Sequence, residues 1–376
     1  AAGAPAPAPD GAAIERSIDE LKRRLNRSPV ARAENTRRLV GLLCDLGFLA
    51  LRDQDHDGAI ARFREAMQYD AHSDAAQLGL AAAHFRRGED VYARSILEQA
   101  LRDRPDHPDM LALLGDVYYS QERLDEARDA WQRSHDRKPD PAVRKRLDKI
   151  ARETAVDGDY TKSEAAHFTL RYDGERTGRD LSGQILAYLE ERFTDLVVRF
   201  DYLPPQPIVV VLYPQRGFHE ATQAEASVAG LFDGKIRVPI GGLEQLRAEA
   251  RRVLLHELTH AFVAGKSGRT APRWLHEGLA QHVEGTRTPS ATAASLAREY
   301  RDLQERGNWG EVFSYPSSLA FVEFLVEREG FHRLVEILEG MGEGLGEAAA
   351  VERATRYTLQ ELRDAWGKAL MESHLH

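Results

Sequence analysis

Val253-Leu254-Leu255-His256-Glu257-Leu258-Thr259-His260-Ala261-Phe262-Val263 decides how the second half of this chain folds. Residues four apart on a helix share a face, one turn above each other. The apolar run predicts a helix from Leu243 to Ala264, with Gly265 as its stop. His256 and His260 then stack on one face, and imidazoles inside such a run are costly without a partner. At that spacing they can take adjacent corners of a tetrahedral Zn²⁺. Glu257, beside the first, can act as general base toward an attacking water.

A hydrolytic zinc keeps three protein ligands and one open position. Pro272 and Gly285 bracket a second helix, Pro272-Arg273-Trp274-Leu275-His276-Glu277-Gly278-Leu279-Ala280 at its start, that can pack on the first. It offers Glu277, His276 and His282 as third ligand. A metzincin arrangement needs Gly at 263 and His at 266; the chain has Val263 and Lys266.

His256-Glu257-Leu258-Thr259-His260 followed by Trp274-Leu275-His276-Glu277-Gly278-Leu279-Ala280 resembles the gluzincin metallopeptidases, the clan of thermolysin and the alanyl-aminopeptidases. It is most similar to the small bacterial peptidase-MA-like domains, with H-E-x-x-H followed by W-L-x-E-G-x-A. The resemblance extends over roughly residues 160–370 and implies a zinc peptidase with His256, His260 and Glu277 as ligands and Glu257 as catalytic base. It also implies an oxyanion-stabilising Tyr or His after the third ligand, a role for which Tyr315 is the candidate, ahead of Tyr300 and Tyr357. The chain departs from the family twice. Thermolysin-like enzymes orient a ligand imidazole with an acid four residues after the ligand Glu, where this chain has Gln281, whose amide can still accept an imidazole N–H. The G-x-M-E-N segment of alanyl-aminopeptidases has no counterpart, which favours an endopeptidase.

Upstream of the zinc helix, Ala166–Tyr172 alternates apolar and polar residues as a half-buried strand does. Arg179–Phe200 has helical periodicity, and Pro207–Tyr213 is a β-branched run fit for a buried strand. Phe232-Asp233-Gly234-Lys235 is a hairpin turn signal. Pro239 cannot donate to a ladder, so Lys235–Ile240 is expected as an edge strand. In the resembling enzymes such an edge binds extended substrate by β-addition. Downstream, Ser317–Glu329, Phe331–Glu339 and Leu359–Met371 are expected helices, with a Gly-rich loop at Met341–Gly346.

The N-terminal part repeats with a period of 34: Gly47, Ala81 and Gly115; Ala59, Ala93 and Ala127; Ala66, Ala100 and Ser134; Ala71, Pro105 and Pro139. Small residues recur where paired helices cross closely, and Pro falls between pairs. The pattern resembles the tetratricopeptide repeat, as three helix pairs near residues 40–73, 74–107 and 108–141, with a capping helix at 142–152. Such arrays stack into a superhelix whose concave face takes peptides. The positions that clamp a peptide carboxylate in some arrays are here Cys44, Phe48, Gly79, Asp109 and Leu113; none is basic, so a carboxylate clamp is not expected.

The whole is expected to be an α+β protein: an Ala/Pro tether at 1–13, an all-α tetratricopeptide-repeat superhelix at 14–157, and a thermolysin-like zinc peptidase domain at 158–376 with a small mixed sheet and a helical C-terminal part. The expected activity is Zn²⁺-dependent peptide hydrolysis, with the repeats recruiting a substrate or protein partner or regulating the cleft. The alternatives are an inactive peptidase-like scaffold and an aminopeptidase. A formal charge of −9 gives no electrostatic footprint for nucleic acid, and no apolar run reaches membrane-spanning length. The single Cys44 cannot form an internal disulfide. The Ala/Pro start is expected either of an exported bacterial protein, after removal of a signal peptide or behind a lipid anchor, or of a boundary inside a larger protein.

Overall fold

The computed structural model describes residues 11–25, 32–225, 228–240, 243–288, 293–306 and 314–373. The tether expected at 1–13 lies outside them up to residue 10, and its last three residues, Gly11–Ala13, belong to a helix instead. The chain forms two compact units, Ala1–Ala151 and Arg152–His376.

Among its described residues the first unit has helices alone: α1 (Gly11–Leu25), α2 (Arg32–Arg52), α3 (His56–Tyr69), α4 (Asp74–Arg86), α5 (Asp90–Asp103), α6 (Pro108–Ser120), α7 (Leu124–Arg137) and the start of α8 (Pro141–Asp157). Short polar residues start α3 and α4: the Asp55 and Ser73 side chains accept the backbone N–H of Gly58 and Ala76. The 34-residue period has a packing cause. Gly47 and Gly79 flank the Phe63 ring so closely that a Cβ on either would lie 2.7 or 2.3 Å from it, and Gly115 meets Trp131 in the same way. Ala59, Ala93 and Ala127 are fully buried where helices cross. α8 was expected over 142–152; it runs on to Asp157 because Glu153 and Asp157 have partners beneath the sheet of the second unit.

That sheet is β1 (Thr161–Glu164), β2 (Phe168–Tyr172), β3 (Ile208–Leu212), β4 (Leu231–Phe232) and β5 (Ile236–Val238), in the order β1-β2-β3-β5-β4. β2, β3 and β5 are parallel, while β1 and β4 pair antiparallel at the two rims. α9 (Arg179–Phe200) crosses from β2 to β3, and α10 (Gln215–Thr222) follows β3. Strand residues alternate between faces. Phe168, Leu170, Val210, Leu212, Ile236 and Val238 look into the core shared with α9, whereas Val209, Val211 and Tyr213 pack with Phe218, Val156 and Leu231 on the other side. With both faces covered, β2 is buried along its whole length, not half-buried as its alternation implied: Thr169 is buried, and Arg171 donates to Asp157 of α8.

α11 (Ala248–Lys266) and α12 (Arg273–Glu284) carry the motif residues. α11 starts five residues later than expected, because Arg247 is extended. It also runs through Gly265, which is not a stop: a Cβ there would lie 2.5 Å from the Tyr202 hydroxyl, so the glycine serves close packing. Gly285 does end α12, with φ +91°. α13 (Ala293–Arg306), α14 (Tyr315–Glu329), α15 (Phe331–Gly342), α16 (Glu347–Thr355) and α17 (Leu359–Ser373) complete the unit. Of the Gly-rich loop expected at Met341–Gly346, residues 343–346 join α15 to α16, and α15 takes in the first two.

One expectation is corrected by the topology. β5 is not an edge: β3 pairs with it on one side and β4 folds back on the other. The Asp233-Gly234 turn (Gly234 φ +104°) makes that return possible. Pro239 lies just past the strand, where its missing N–H costs no ladder bond. The open rim is β4.

Candidate metal centre

α11 presents His256 and His260 one turn apart, their rings 4.8 Å between centroids and nearly perpendicular. α12 brings Glu277 against them: its Oε2 lies 3.6 Å from His256 Nε2 and 3.7 Å from His260 Nε2. One ligand atom from each residue falls within 4.8 Å of the other two. Three atoms each ~2.1 Å from a tetrahedral ion stand about 3.4 Å apart, close to the two carboxylate–imidazole separations of 3.6 and 3.7 Å. Glu277 Oε2 is buried and accepts no hydrogen bond. A buried carboxylate oxygen with no donor is costly, and a divalent cation among two imidazoles and this oxygen removes the cost. The two-nitrogen, one-oxygen donor set fits zinc.

Hydrogen bonds behind the ligands aim them. His256 Nδ1 lies 3.3 Å from Glu284 Oε2, and Glu284 is itself held by Thr286 Oγ1, which donates to its Oε1 at 2.6 Å. The Nδ1 atoms of His260 and His276 lie 3.3 Å apart. Gln281, the position where an imidazole acceptor was expected, does something else. Its Nε2 donates to the carbonyls of Glu277 and Tyr315, both at 3.0 Å, so it ties α12 to α14. Glu284 takes the imidazole-orienting place. It sits seven residues after Glu277, two turns on along the same face of α12. His282 turns away from the triad and stacks on Phe331.

Electrostatics separate the two imidazoles. Burial works against protonation of His256, but Glu277 and Glu284 overcome it and push it up to about 10. Burial, with His256 and His276 nearby, holds His260 well below the ordinary imidazole range. Burial also pushes the Glu257 carboxyl up to about 7, with Glu277 and Glu284 adding to the rise and His256 opposing it. Glu284 is held low: burial disfavours its charge, but hydrogen bonds from His256 and Thr286 prevail.

Glu257 is buried at 5% exposure and lies against the backbone just before β4: a Cβ on Gly230 would be 2.5 Å from its Oε1. Tyr315 opens α14 and is 50% exposed. Its carbonyl accepts from Gln281, one turn after Glu277, and its ring faces the Arg273 guanidinium at 5.4 Å, one turn before Glu277. It thus runs alongside the stretch of α12 that carries the carboxylate. Tyr300 is buried against Trp366, and Tyr357 is partnered by Arg328.

Family models described as tetratricopeptide repeat match residues 50–94 and 92–142. The chain therefore carries tetratricopeptide repeats in its first unit. Among solved structures, the first TPR of Spaghetti (RPAP3) bound to an HSP90 peptide aligns at 20% identity, covering 31% of this chain and 93% of that one, with a TM-score of 0.30. No curated protein matches the chain.

Proposed function

We propose that the second unit is a zinc-dependent metallopeptidase of the gluzincin type, and that the repeats recruit a peptide or protein to it. The observation that carries this reading is the buried, donor-less Oε2 of Glu277 facing two imidazole nitrogens at 3.6 and 3.7 Å. His256, His260 and Glu277 would hold the ion. When bound, Zn²⁺ supplies a Lewis acid and lowers the pKa of a water. Glu257 takes the proton of the attacking water and passes it to the leaving amine. Gly230, by lacking a side chain, leaves that carboxylate room beside β4. The outer rim of β4, rather than of β5, offers main-chain groups to an extended peptide. Tyr315 donates to the developing oxyanion. The absence of a G-x-M-E-N segment favours internal over N-terminal bonds.

The repeats by themselves favour a second reading, a protein-binding scaffold with a silent centre. Glu257→Gln distinguishes the two. It is expected to bind zinc like the parent and to lose at least about 10³-fold in kcat on an internally quenched peptide. A parent protein that binds zinc but cleaves no peptide, or a Glu257→Gln variant with full activity, overturns the peptidase reading.

A further inference from the structure

The β4–β5 hairpin is gripped from the face of the sheet that looks away from the imidazoles. Ile236 and Val238 point into the core shared with α9 and α11, so Arg237 between them points the other way, toward α8. Its side chain is only 2% exposed. There it meets Glu153 Oε1 at 2.9 Å and Asp233 Oδ1 at 3.2 Å, and it donates to the Tyr213 hydroxyl at 2.8 Å. Tyr213 donates in turn to Asp157 Oδ2 at 2.6 Å, and Asp157 also accepts from Arg171. Two arginines, two acids of α8, a turn aspartate and a tyrosine thus form one network beneath the sheet.

Burying such charges is poor economy for stability, since apolar residues of similar volume often serve as well or better. The register supplies a positional reason. Arg237 stands directly opposite Leu231, and Leu231 follows Gly230, the residue pressed against Glu257. Asp233 lies in the turn of the same hairpin, while Glu153 lies on α8. The guanidinium therefore bridges the hairpin to a helix that takes no part in the metal centre.

We propose that Arg237 is a positioning residue: clamped between Glu153 and Asp233, it sets the height of the Gly230–Phe232 segment over Glu257, and with it the rim that receives an extended peptide. The proposal rests on the peptidase reading for its kinetic consequence, though not for its structural one.

The test uses the full chain loaded with zinc. Arg237→Met combined with Glu153→Gln removes the buried Arg237–Glu153 ion pair at nearly constant volume, so neither partner is left uncompensated, and Asp157 keeps Arg171. Zinc affinity should stay within about two-fold, while kcat/KM on an internally quenched peptide falls about ten-fold, chiefly through KM. Amide exchange at 231–235 should quicken about ten-fold, with β2 and β3 unchanged. Asp233→Asn touches only the more exposed end of the clamp and should shift exchange and KM the same way by less; it decides the matter if the double variant does not fold. A folded variant whose hairpin exchanges as slowly as the parent overturns the proposal. So does exchange that quickens equally in β2 and β3, which is a merely structural role. If the parent cleaves no peptide, the peptidase reading fails and hairpin exchange alone decides this one.

Discussion

Gly230→Ala isolates the aim of the base from metal binding. Gly230 is not among the glycines with left-handed backbone, so alanine is tolerated conformationally and the substitution acts through space. Its Cβ would stand 2.5 Å from Glu257 Oε1, 2.8 Å from Cγ and 2.9 Å from Cδ. Carbon contacts are comfortable only from about 3.5 Å, so the carboxylate or the strand has to move by about 1 Å. A displacement of that size at a reacting group costs about 10²-fold in rate, and overpacking costs about 1–3 kcal/mol of stability. The zinc ligands are not touched. The assay is kcat/KM on an internally quenched peptide, with zinc content and thermal unfolding measured on the same preparation. The expected result is a kcat/KM about 10²-fold lower at full zinc occupancy. Activity within about two-fold of the parent refutes the argument, as does a loss that merely follows lost zinc.

Three further outcomes follow from the same geometry. Glu284→Ala should weaken zinc binding about 10–100-fold in a chelator competition, because His256 loses its orienting carboxylate; unchanged affinity would remove Glu284 from that role. Gly79→Ala brings a Cβ to 2.3 Å from the Phe63 ring and should lower stability by about 1–3 kcal/mol in urea, with Phe63→Leu in the same chain restoring part of it. Burial pushes the Asp116 carboxyl from 3.8 up to about 6, against the opposing Arg146 and Trp131. The folded chain therefore keeps a proton that the unfolded chain has released between those values. Stability from this group is highest below 3.8 and is lost as pH rises through about 6, by about 3 kcal/mol. Asp116→Asn has no such term, so its urea midpoint should gain on the parent between pH 4 and 7; a constant difference would refute the reasoning.

What could be read in advance was what local spacing controls. The four-residue spacing of His256 and His260 forces a common helix face, and Arg179–Phe200 has the bounds its periodicity implied. The 34-residue columns located the helix pairs, yet one column passed unnoticed: Phe63, Leu97 and Trp131 stand at the same interval, all buried, and two of them are what the glycines pack against. What was hidden depends on partners distant in sequence. Thr-Lys-Ser-Glu at 161–164 has no apolar pattern and becomes a strand only by pairing with β2. Arg171 stands at a polar position of an alternating strand, yet it is covered because α8 brings Asp157 to it. The resemblance points to position 281 for the orienting acid, whereas Glu284 supplies it, two turns beyond Glu277 on the same helix face. Pro239 suggests an edge strand, whereas it marks only where β5 stops.

The rims of the sheet have a consequence for solubility. One rim is a four-residue strand bearing Lys162 and Glu164 as a salt bridge in the open, and the other is two residues long. Neither gives a second copy of the chain a flat, apolar ladder along which to polymerise. A visiting strand can pair with β4 for only a residue or two, so main-chain bonds alone cannot trap it there.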